Sequence, residues 1–141
     1  MVHALELCRS LLKSDGRLID LHPTGSPPEV QVALGGHLTL LGLLQETDDF
    51  IEYAQANAAL AQAIQMGMFT TEREGTFTYI IHASSVDELR EFLTENWSDA
   101  ILDKEIDLQY EQFLTAHPAD ASRSSLRLVE QIRITRLLPG S

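Results

Sequence analysis

The first 25 residues constrain the fold more than any other part of this chain. Ala4 to Lys13 has the spacing of an amphipathic helix, Ser14, Asp15 and Gly16 form a turn, and Arg17 to His22 reads as a strand stopped by Pro23. Leu5, Cys8, Leu11 and Leu12 recur at three- and four-residue intervals, so they mark one packed stripe with Glu6, Arg9, Ser10 and Lys13 off it. Leu18, Ile19 and Leu21 make the following strand apolar enough to expect burial. A helix leading into a buried strand is half of a crossover, so the partner strand is expected from elsewhere, from a second copy or a separate subunit.

The rest of the chain supplies further elements. Glu29 to Leu34 and His37 to Leu44 flank Gly35-Gly36, a pair suited to the positive φ angles of a type I′ hairpin turn. Thr47 is expected to cap a helix running to Met68, with Asp48 and Asp49 in its first turn and Gly67 at its end. Phe69 to Arg73 and Thr76 to Ala83 read as a second hairpin turning at Glu74-Gly75, and Ser85 to Glu88 as a capping box opening the next helix. A helix from Asp99 to Ala116 and a closing strand from Leu126 to Leu137 complete the order. No repeat or linker interrupts it, so one domain over residues 1–141 with one core is expected. The fold class is α/β of α+β-like character: a single mixed, largely antiparallel sheet with helices packed against it.

Charge narrows the partners. The chain carries 21 acidic against 10 basic residues, a net charge of −11, which repels phosphate backbones and anionic lipid heads. Nucleic acid and membranes are therefore not expected partners. Arg123, Arg127, Arg133 and Arg136 gather towards the C-terminus, but they interleave with apolar residues as a solvated strand face would. The apolar runs are too short to span a bilayer, and His3, Glu6 and Arg9 break any signal-peptide core. With one cysteine, Cys8, expected to pack in the first helix, a cytoplasmic setting follows.

The stretch ALELCRSLLKSDGRLIDLHP resembles the helix, turn and strand of class I S-adenosylmethionine-dependent methyltransferases, with Ser14-Asp15-Gly16 where that family has Pro-Gly-Gly. The strand TFTYIIHA, a helix and the closing LRLVEQIRITRL are similar to the antiparallel pair that ends the Rossmann-like fold of that family. The resemblance implies the substrate-side, C-terminal half of such an enzyme. It implies no cofactor, because neither GSPP nor LGGH lies between a parallel strand and a helix, as the family's glycine-rich turn does. A non-catalytic binding or assembly module that self-associates is the first expectation. One subunit of a split methyltransferase, or a protein that binds a small molecule between its long helix and the sheet, are the alternatives.

No residues are assigned to catalysis. Asp20 and His22, two apart on a strand, share a face where a carboxylate and an imidazole are able to orient a ligand or move a proton, while the competing reading has them serving the loop before Pro23. Tyr53 on the long helix and His82 in the strand TFTYIIHA complete the candidate ligand contacts. The five histidines lack a second ligand at chelating spacing, so no metal site is expected.

Overall fold

The computed structural model describes residues 1–140. In chain order the elements are α1 (Val2–Leu11), β1 (Leu18–Pro23), β2 (Glu29–Leu34), β3 (His37–Leu43), β4 (Gln45–Glu46), α2 (Ile51–Gln65), β5 (Phe69–Ala83), α3 (Val86–Asn96), β6 (Ala100–Ile101), α4 (Lys104–Ala116), a short 3-10 turn (Ala121–Arg123) and β7 (Ser125–Pro139). The fold is α+β with largely antiparallel strands. Strands β1, β7, β2 and β3 follow one another in one sheet, β5 also pairs with β7, and β4 pairs with β6.

The chain separates into two compact units. The first collects Met1–Gly25, Phe50–Phe77 and the residues from Gln131 onward; the second collects Ser26–Asp49 and Thr78–Glu130. Two apolar clusters take the place of the single core expected from the sequence, and each lies within one unit.

In the first unit, Leu60, Ala63, Met68, Phe69 and Leu137 form the cluster, with Val2, Leu5, Leu12 and Leu18 packed against it. Alanines at 59 and 63 are buried in α2, which suits both helix propensity and close approach. The helix ends as Gly67 implies. At φ 72° it lets its own N–H reach the Ile64 carbonyl and the Met68 N–H reach that of Ala63, the two bonds of a Schellman motif. Its start differs from expectation. Thr47 does not cap α2, because Asp49 and Phe50 both take left-handed angles, at φ 56° and 61°. Such angles are strained for side chains with a Cβ, and the Phe50 ring, buried and stacked on Tyr53 with centroids 6.2 Å apart, offsets that cost.

Strand β1 corrects a larger expectation. It is not buried throughout: Leu18 faces the cluster, whereas Ile19 and Leu21 are 51% and 57% exposed. Side chains alternate along a strand, so anchoring Leu18 inward turns Asp20 and His22 inward too and sends both isoleucine and leucine outward. Helix α1 departs in the same way. Val2, Leu5 and Leu12 pack inward, and Cys8 and Leu11, expected in the core, are exposed.

Strand β5 replaces the expected hairpin at Glu74-Gly75 with one uninterrupted strand of 15 residues. Gly75 does not take a positive φ, and the threonines and aromatics around it sustain an extended backbone. Ion pairs from Glu72 to Arg136 and from Glu74 to Arg133 hold this stretch to β7.

The second unit follows its sequence pattern closely. Gly35 and Gly36, at φ 55° and 82°, form the hairpin turn between β2 and β3. Val30 and Val32 are buried against Leu126 and Leu128 of β7 and Leu89, Leu93 and Ile106 of α3 and α4. Gly42 allows α4 to approach: a Cβ there would meet Ile106 Cγ1 at 2.9 Å. Ser85 caps α3 by accepting the Glu88 N–H. Glu88 reaches back to the hydroxyl and N–H of Ser84, which hold its carboxyl below the usual range. Helix α4 starts later than expected, at Lys104, because Asp103 caps it and Ala100–Ile101 pairs with β4 instead. No helix among the described residues is long and apolar enough to cross a membrane.

Candidate functional site

The register of β1 against β7 places Asp20 opposite Thr135 and His22 opposite Arg133. Both pairs lie within the first unit, and Asp20 and His22 share the inward face of β1 set by Leu18. A sheet face that carries a carboxylate, an imidazole, a guanidinium and a hydroxyl cannot pack on aliphatic side chains without loss. Helix α2 answers with Asn57.

Asn57 is the hub. Its Oδ1 accepts from His22 Nε2 at 3.1 Å and from Arg133 Nη1 at 3.1 Å, and its Nδ2 donates to the Tyr53 carbonyl, one turn earlier in α2, at 3.0 Å. Two donors on Oδ1 and an acceptor on Nδ2 settle the orientation of the amide, and they place a hydrogen on Nε2 of His22. The second guanidinium nitrogen of Arg133 donates to Glu74 Oε2 at 3.0 Å. On the other side of the imidazole, Nδ1 lies 2.7 Å from Asp20 Oδ2, an ion pair when Nδ1 is protonated. Neither of these two atoms makes an aligned hydrogen bond, nor does the buried Thr135 Oγ1 opposite Asp20.

Beside this network opens a cleft of about 510 Å³ lined by Thr24, Asn57, Glu74, Gly75, Thr76 and Arg133. Its volume is that of a small-molecule site. The lining offers an amide, a guanidinium, a carboxylate and hydroxyls, which suits a polar ligand held by directional bonds. His22 and Asp20 stand behind Asn57 and act through it, fixing the amide that faces the cleft.

The structure thus joins three of the four sequence candidates. Asp20 and His22 touch one another, and Tyr53 reaches them through its carbonyl and Asn57, while its ring packs on Phe50. His82 belongs to the second unit, where it is exposed on β5 and not partly buried as an apolar strand suggests. Asn57, Glu74 and Arg133 escaped notice: Asn57 looked like one more position on a helix face, and Arg133 like one of several solvated arginines. The visible signal was a polar residue on an otherwise apolar, alanine-rich helix stripe.

The second unit contains one buried acid, Glu130. Burial first, and then the Glu46 carboxylate, push its pKa up to about 7. Glu46 in turn accepts a hydrogen bond from the indole of Trp97. Among the described residues no group of three or more His, Cys, Asp or Glu is placed to hold a metal ion. Compared with known proteins, the chain matches no protein family, no curated protein and no solved structure.

Proposed function

We propose that this chain is a non-catalytic binding or assembly module of the cytoplasm, similar to the C-terminal part of a class I methyltransferase, that associates with a second copy of itself through α1. The observation that carries this reading is the outward face of α1. Ala4, Leu7, Cys8 and Leu11 lie at i, i+3, i+4 and i+7 and are all exposed, Leu7 by 53% and Leu11 by 85%. That is the spacing of an apolar seam, on a helix whose other face already packs on α2 and β1. Antiparallel pairing about a two-fold axis sets Leu11 against Ala4 and Leu7 against Cys8, large against small, so the seam complements itself. Among the described residues β1 pairs only with β7, and an outer edge left unpaired there supports the same reading, since it invites a partner. Pairing of β5 with the closing strand β7 supports the methyltransferase-like order.

Sedimentation equilibrium tests the proposal: the native chain runs as a dimer, and Leu11→Glu runs as a monomer with an unchanged unfolding curve. A native chain that stays monomeric at every accessible concentration overturns it. Calorimetry with S-adenosylmethionine on the isolated chain should give no binding heat, and a saturable heat would refute the non-catalytic reading.

A second reading, binding of a small polar ligand, is favoured by the cleft at Asn57. Its hydrogen-bonding groups are held in place by the His22 and Glu74 contacts before any ligand arrives.

A further inference from the structure

In the first unit Ile19, Leu21, Ile134, Arg73 and Arg136 are used neither by α1 association nor by the Asn57 cleft. Ile19 and Leu21 project from β1, and Ile134, directly opposite Leu21, projects from β7. Arg136 stands opposite Ile19. Around this apolar floor runs a cationic rim. Glu72 is shared by Arg17 and Arg136, at 3.2 and 2.6 Å, and Glu74 is taken up by Arg133. Arg73, exposed on β5, has no ion-pair partner among the described residues. Arg17, Arg73 and Arg136 therefore border this face, in a chain whose net charge is −11. A positive excess on so acidic a protein is a departure that solubility does not require.

The same place is concave. A pocket of about 380 Å³ is lined by Ile19, Arg73, Glu74, Gly75, Ile134 and Arg136. We propose that it binds a small amphiphilic monocarboxylate, an aliphatic acid of medium chain length. The carboxylate takes the uncommitted fork of Arg73, with Arg136 beside it, and the hydrocarbon lies on Ile19 and Ile134. A guanidinium fork matches a carboxylate with two parallel hydrogen bonds. Arg73 and Arg136 against Glu74 leave the lining one positive charge in excess, which a monoanion balances and a phosphate dianion exceeds. Glu74, in the lining and already held by Arg133, disfavours larger anions. The volume, towards the lower end of the range for ligand sites, excludes long lipid tails. This inference is independent of association through α1.

The test is a titration of the ¹⁵N-labelled chain with hexanoate, octanoate and decanoate below their micelle concentrations, with octan-1-ol and octylammonium as controls. Amide shifts should saturate at Ile19, Gly75 and Ile134, with affinity rising about two- to fourfold per added methylene. Octanol and octylammonium should bind at least tenfold more weakly than octanoate, as should octanoate to Arg73→Gln, while Arg73→Lys recovers part of the loss. Arg73 is exposed, so both variants keep the unfolding curve of the parent. Repeating the titration on monomeric Leu11→Glu should give the same affinity, which separates this site from the α1 seam. Absence of saturable shifts, octanol binding as tightly as octanoate, or an unchanged affinity in Arg73→Gln would each overturn the proposal.

Discussion

The two units solve the problem of burying a sheet face in opposite ways. In the second, Val30, Val32, Leu126 and Leu128 meet Leu89, Leu93 and Ile106, and nearly every inward position is aliphatic. In the first, β1 and β7 turn Asp20, His22, Arg133 and Thr135 towards α2 and leave Ile19, Leu21 and Ile134 outside. A face built this way costs stability, because polar groups are buried and apolar ones are wet. Departures from consistent patterning concentrate where a protein binds something. The second unit therefore has the character of a framework, and both proposed binding sites lie in the first.

The sharpest way to break that comparison is to remove a framework side chain. Leu128→Ala, at a position 1% exposed, should lower the free energy of unfolding by about 2–5 kcal/mol in urea titration. Leu21→Ala, equally aliphatic but wet, should change it by less than about 0.5 kcal/mol. Equal losses at the two sites would erase the distinction between framework and site.

Glu130 is a polar exception in the second unit, and pH exposes it. Burial, and then the Glu46 carboxylate, raise the Glu130 carboxyl from its ordinary 4.5 to about 7 in the folded chain. An acid whose folded pKa is raised keeps its proton when the unfolded chain has lost it, so stability falls as pH rises from about 4.5 to 7 and is level above. Glu130→Gln should remove that slope and gain about 2 kcal/mol at pH 8, with little change at pH 4, read from thermal melts across the range. A parallel pH profile in the variant would place the titrating group elsewhere.

Smaller effects sharpen the picture of the first unit. Asn57→Ala strands His22 Nε2 and one Arg133 nitrogen, and should cost about 1–2 kcal/mol while releasing the His22 ring, visible as altered imidazole shifts in NMR. Thr135→Val removes a buried hydroxyl that has no aligned partner and should be neutral or stabilising by up to about 1 kcal/mol. A clear loss in Thr135→Val would show that the hydroxyl is engaged.

Much of the second unit was legible because its signals are local. The glycine pair of the β2–β3 hairpin, the Ser85 cap and the alternation of Val30 and Val32 each act within a few residues. The candidate site depends instead on cross-strand register, which brings His22 opposite Arg133 over more than a hundred residues of sequence. Asp20 and His22 were visible as a pair, but Asn57 between them and Arg133 was not. Four near neighbours misled for physical reasons. Ile19 and Leu21 suggested a strand buried on both faces when only alternate residues are covered. Glu74-Gly75 carries turn residues, yet its backbone stays extended because both its neighbours and its ion pairs favour a strand.

Strands β5 and β7 each contribute residues to both units. During synthesis on a ribosome, the second unit has all of its segments once residue 130 has left the exit tunnel. The first must wait for residues 131–139, and until they emerge α1, β1 and α2 lack Leu137, which closes their cluster. Nascent chains stalled shortly before that point should therefore hold the second unit in protease-resistant form while the segments of the first are still being digested.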